Sequence, residues 1–167
     1  MSIGVVVLTV VHVGLSVVAL LFGGVAVARL AFVQQVPSRA AAFLYTAAAA
    51  TVTGFLFPFH GITPAILIGL VSCVVLIATL LARSRAERRQ RGWIQVFVCG
   101  VVISEYLLVF VAIAQAFGKI PLLHALAPTL KEVPFLLAQG LALLMFMVLA
   151  VLALRRRVMA GSSLGAR

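Results

Sequence analysis

The 167 residues are 65% hydrophobic and only 10% charged, with a mean hydropathy of +1.28. A soluble domain carries about 25% charged side chains, so this composition excludes one. Asp and Asn, the usual residues of polar loops and helix caps, are absent. The formal charge of +10 falls between and after the apolar runs, which assigns it to topology and anionic headgroups rather than to nucleic acid.

The first expected span, Ile3 to Ala28, is uncharged and ends at Arg29. It lacks a basic n-region and is too long for the apolar core of a signal peptide, so it reads as a retained helix. It contains His12, and Gly14, Gly23 and Gly24 offer surface that a neighbouring helix can approach closely. A connector with Gln34, Gln35 and Pro37 breaks it from the second span, Ala40 to Phe57, which is rich in Ala and Thr. Small and hydroxyl-bearing residues favour an interior position for that helix. The turn Phe57 to Pro64 contains His60, and Thr63-Pro64 supplies a good N-cap and first-turn pair for the third span, Pro64 to Ala82.

Arg83 to Gly92 is the most polar segment, and contact with anionic headgroups or an acidic partner is the use it allows. The fourth span, Trp93 to Gly118, has the length to cross a hydrocarbon core of roughly 30 Å and places Glu105 at its centre. An acidic side chain at mid-bilayer costs about 2.5 kcal/mol or more, so it must face protein, water or a partner, or be protonated. Lys119 to Pro134 is an apolar connector suited to lying in the interface or folding back over the helices. The fifth span, Phe135 to Leu154, carries Gln139 and stops at Arg155-Arg156-Arg157.

The expectation is therefore an all-α bundle of five transmembrane helices, one domain over residues 1–157, with a disordered cytoplasmic tail at 158–167. Eleven Arg fall on one side of this topology and two Lys on the other, which places the N-terminus outside and the C-terminus inside. Cys73 and Cys99 lie in apolar runs and read as small buried hydrophobes.

Depth along the helices brings two polar constellations into view. His12 is nine residues from Ile3 and Glu105 fourteen from Lys119, or roughly 13 and 20 Å at about 1.5 Å per residue. These depths allow an intramembrane His12–Glu105 pair forming a minimal proton or cation site. Separate structural roles for each, hydrogen-bonded to neighbouring helices, are equally open. At the outer face, Gln115, Lys119, His60, His124, Glu132 and Gln139 can form a polar vestibule above Glu105, or be ordinary polar residues at a membrane rim. His60 and His124 can also be read as axial haem ligands, or with Glu132 as a metal set, although no fixed ligand spacing supports a structural zinc site. No hydrolase or nucleotide-binding motif is present.

Thr53 to Gly61, TGFLFPFHG, and Gln115 to Thr129, QAFGKIPLLHALAPT, resemble a group of small multi-spanning bacterial inner-membrane proteins. The resemblance runs from the second helix to the start of the fifth and implies a bacterial cytoplasmic-membrane location. It brings no activity, ligand or site residue with it. A more distant architectural similarity links the chain to small redox-associated four-helix proteins of the DoxX type, from which five spans depart. Three functional classes are expected from the residues: a binding or transport module, monomeric or homo-oligomeric, for a small or lipophilic ligand centred on Glu105, an accessory subunit or assembly factor of a larger membrane complex, and a haem- or quinone-associated redox protein. Nothing in the residues designates a cofactor.

Overall fold

The protein, described here from a computed structural model covering residues 2–33, 40–57, 64–87 and 90–162, is helical over most of those segments. The helices are α1 (Ile3–Ala28), α2 (Ala40–Phe55), α3 (Pro64–Glu87), α4 (Arg91–Lys119), α5 (Pro121–Leu126) and α6 (Val133–Ser162). Uninterrupted apolar composition explains the long helices, because only a helix satisfies every backbone polar group within its own segment in lipid. Four are long and apolar enough to cross a membrane, spanning 3–33, 66–86, 92–119 and 133–155. The 16-residue α2 is apolar but shorter, about 24 Å long at ~1.5 Å per residue.

Several boundaries differ from the sequence expectation. The last turn of α1 widens into a π-helical segment, Arg29–Val33, where a break had been expected soon after Arg29. The second helix stops at Phe55 rather than Phe57. The polar segment 83–92 is mostly helix, since α3 runs to Glu87 and α4 starts at Arg91. There the Arg85 guanidinium sits 4.3 Å from the centre of the Trp93 ring, tying α3 to α4 by a cation–π contact. The last helix begins at Val133 with Pro134 in its first turn, a position where proline's missing N–H costs nothing. It also continues through the Arg triplet to Ser162, so residues 158–162 are helical where a disordered tail was expected.

α4 is the central helix, packing against α1, α2, α3 and α6. α1 and α2 run antiparallel, as do α4 and α6, and single contacts give the register. On α1 and α2, His12 meets Thr53 while Gly23 meets Phe43. On α4 and α6, Phe117 meets Phe135, with ring centroids 5.5 Å apart, while Tyr106 meets Phe146 at 5.8 Å.

Close approach rests on small residues. A methyl group at Gly100 of α4 would overlap the hydroxyl of the fully buried Thr79 on α3. That hydroxyl donates to the Val75 carbonyl at 2.6 Å and needs no other partner. Phe43, Leu44, Phe97, Val98 and Val101 fill the main core between these helices.

The 119–134 connector folds back onto the bundle. Leu123, Ala127 and Leu130 pack with Phe117 and Ile113 of α4 and Phe135 of α6, making a second apolar cluster. Leu130 holds a left-handed φ of 58°, unusual for a residue with a branched side chain. Glu132 braces this turn. Its Oε1 accepts from the Thr129 hydroxyl at 2.8 Å and the Thr129 N–H at 3.2 Å, and its Oε2 from the Lys131 N–H at 3.0 Å.

Candidate functional site

Glu105 is the fifteenth of the 29 residues of α4, midway between the helix ends. The central position of α4 turns its side chain inward, leaving the residue 2% exposed. Its carboxylate lies against the backbone of α1 at the paired glycines. A methyl group at Gly23 would overlap Glu105 Oε2 and come within 2.6 Å of Phe43 Cε2 of α2. At Gly24 the same group would stand 3.9 Å from Oε1, an ordinary contact. Gly23 thus marks the point where the backbone of α1, the ring of Phe43 and the carboxylate of α4 converge.

Glu105 Oε2 is buried with no hydrogen-bond partner among the described residues. Burial of such a group without compensation is costly, so its surroundings bear on function. The carboxylate lines a partly open cleft of about 310 Å³ between α1, α4 and α6. Gly24, Val27 and Ala28 of α1, Phe32 of the π turn, Val109 of α4 and Met145, Phe146 and Leu149 of α6 form the remaining walls. All of these walls are apolar. Gly24, Ala28, Phe32 and Met145 are exposed, so the cleft opens on the apolar exterior of the bundle rather than toward either end.

The structure does not bring His12 and Glu105 together. His12 Nδ1 lies 3.0 Å from the Thr53 hydroxyl of α2, and its ring meets Phe57 edge-on at 5.5 Å. Glu105 packs eleven residues further along α1, at Gly23, roughly 16 Å away at ~1.5 Å per residue. The Thr53 hydroxyl itself donates to the carbonyls of Ala49 and Ala50, each at 2.9 Å, and with the His12 contact it serves as a polar clip between α1 and α2.

The expected outer vestibule is also dispersed. Gln115 and Lys119 are exposed on the last turns of α4, and His124 is exposed on α5. Glu132 is committed to its own turn, where the Thr129 hydroxyl donating to it holds its carboxyl below the usual range. Gln139 is the buried member, 8% exposed, with Nε2 donating to the Phe110 carbonyl at 3.1 Å and Oε1 without a partner among the described residues. No hydrogen bond or ion pair among the described residues joins any of these five to another of them or to Glu105. His60 lies outside the described residues. Among the described residues no three His, Cys, Asp or Glu side chains gather as a metal set, and Cys73 and Cys99 are free and half-buried.

The cleft walls on the π turn and α6 were not singled out from the sequence. Their signal was weak, because Phe32, Met145 and Phe146 belong to uniformly apolar runs with no periodicity to mark a special face. Ser104 is a further buried hydroxyl, unpartnered among the described residues, one helical turn beyond Gly100. Comparison with protein-family models, with curated proteins and with solved structures returned no match.

Proposed function

We propose that this protein is a small multi-pass binding or transport module of a bacterial cytoplasmic membrane, taking a small lipophilic ligand into the Glu105 cleft. The observation that carries this reading is a buried carboxyl lining an apolar cleft, with one of its oxygens lacking a hydrogen-bond partner among the described residues. Clefts of this size, with apolar walls and one placed polar group, are the usual form of small-molecule sites. An ionisable residue at membrane depth is by default a functional group. Access is lateral, from the acyl chains, because the exposed wall residues face that way. The rim residues Gln115, Lys119 and His124 then serve the interface rather than the site.

The topology that accompanies this reading has five spans, with the N-terminus outside and the C-terminus inside. Support for counting α2 comes from its antiparallel course along α1 between the Phe43–Gly23 and Thr53–His12 contacts. The charge asymmetry of 11 Arg against two Lys supports the orientation.

Native mass spectrometry of the protein released from mild detergent, with an absorbance scan of the same sample, tests the proposal. A retained small mass that is lost in Glu105→Gln is expected. Bare wild-type protein accompanied by other subunits would move an accessory-subunit role to first place, and a Soret band would move the redox reading there.

A further inference from the structure

The binding-module reading leaves the chemical class of the ligand open, and the composition of the cleft narrows it. Among the described residues, Glu105 is the only one lining the cleft with a hydrogen-bonding side chain. A neutral ligand with several polar atoms would leave most of them unpaired against aliphatic walls, at a cost of about 1–3 kcal/mol each. A ligand whose polarity is concentrated in one positive centre leaves no polar atom unpaired when a single carboxylate meets it, and their mutual attraction offsets part of the desolvation cost. Two of the walls, Phe32 and Phe146, are aromatic, and an aromatic face attracts a cation through its quadrupole. A carboxylate with aromatic rings and no competing donor is the environment that selects an alkylated ammonium.

We propose that the cleft binds a lipophilic organic cation, an ammonium with an apolar body, seated between the Glu105 carboxylate and the rings of Phe32 and Phe146. The proposal rests on the binding-module reading and specifies its ligand. The Glu105 carboxylate receives the positive charge, while Val27, Val109, Met145 and Leu149 take the apolar body. The α1 backbone at Gly23 and Gly24 keeps the carboxylate at the base of the cleft.

A proton competes with such a ligand for the same carboxylate. Among the described residues, the groups facing the carboxylate are Gly23 and Gly24 of α1, Phe43 of α2, and Met145 and Phe146 across the cleft on α6; none of them titrates. The titratable or charged residues nearest along these helices are Arg29, Tyr45, Cys99, Tyr106 and Arg155, and none hydrogen-bonds to the carboxylate Oε2. Tyr106 stands behind the Phe146 ring. Glu105 is therefore the group through which acidity acts on the site.

Equilibrium dialysis of benzyltrimethylammonium against the full-length protein in lipid nanodiscs tests this. Neopentylbenzene, its neutral isostere, and a short-tailed benzoquinone serve as comparison probes. Saturable binding of the cation is expected, weakened about tenfold or more in Glu105→Gln, which corresponds to about 1.4 kcal/mol. Mild acid should weaken binding to the wild type and leave the residual binding of Glu105→Gln unchanged. Because the Gln variant can fail to insert, Ala28→Phe, which fills the cleft and keeps the carboxyl, should abolish cation binding independently. Equal binding of neopentylbenzene, or cation binding indifferent to both variants, overturns the proposal. Ala28→Phe-sensitive binding of the benzoquinone without the cation overturns it too, yet leaves the binding-module reading standing. Failure of all three probes, together with bare protein in the mass spectrum, removes both.

Discussion

Gly23 and Glu105 share one volume: the space that a side chain on α1 would fill holds the carboxylate of α4. Gly23→Ala must displace both that carboxylate and the Phe43 ring, and overpacking of this kind costs about 1–3 kcal/mol. Its neighbour provides the control, since Gly24→Ala creates only ordinary contact at 3.9 Å. Thermal unfolding in detergent should show a clearly lowered midpoint for Gly23→Ala and little change for Gly24→Ala. Equal effects would mean that the interlock does not hold the helices together.

The second close approach makes a cycle rather than a single comparison. Gly100→Ala presses on the Thr79 hydroxyl and methyl and should destabilise by about 1–3 kcal/mol. Thr79→Ala removes both groups and should recover part of that loss in the double variant. Strict additivity would show that α3 and α4 are free to separate at this point.

Thr53→Val keeps the shape of the side chain but removes the hydroxyl that meets His12. Interhelical hydrogen bonds in membranes average about 0.6 kcal/mol and reach about 1.7, so a coupling in this range is expected between Thr53→Val and His12→Ala. No coupling would reduce the pair to proximity. The same variants should leave cation binding in the cleft intact, because the clip lies some three turns from Glu105 along α1.

The connector should respond to acid on its own. The Thr129 hydroxyl and the Thr129 and Lys131 amides favour the charged form of Glu132, so its folded value lies below the unfolded one of ~4.3. A depressed carboxyl contributes stability above the unfolded value and loses it as pH falls through the folded value. Protection of the Thr129 and Lys131 amides against hydrogen exchange, taken relative to the intrinsic rate at each pH, should fall over that acid window in the wild type, and should already be low near neutrality in Glu132→Gln. Acid-insensitive exchange in the wild type would separate the turn from its carboxylate.

The long apolar runs and the central Glu105 were legible in the sequence because hydropathy and position along a helix are linear properties. Depth is linear too, and it placed His12 and Glu105 within reach of one another. Azimuth and packing register are not linear, and they decide which side chains meet. His12 is taken by Thr53, and Glu105 by a glycine whose contribution is the absence of a side chain. Gly23 had registered only as packing surface, since the sequence cannot say which residue fills the room it leaves. The vestibule failed for the same reason: Glu132 shares a membrane rim with Lys119 and His124, yet turns its oxygens back onto its own loop.

The order in which the helices are made gives the Gly23 contact a further meaning. α1 and α2 are complete before the ribosome has reached residue 105, so the notch between Gly23 and Phe43 exists before anything can occupy it. Pairing of the first two helices leaves a defect that only α4 repairs. The earliest hairpin is thus unfinished by construction, and a chain truncated ahead of Glu105 would carry that gap as a recognisable mark of incompleteness.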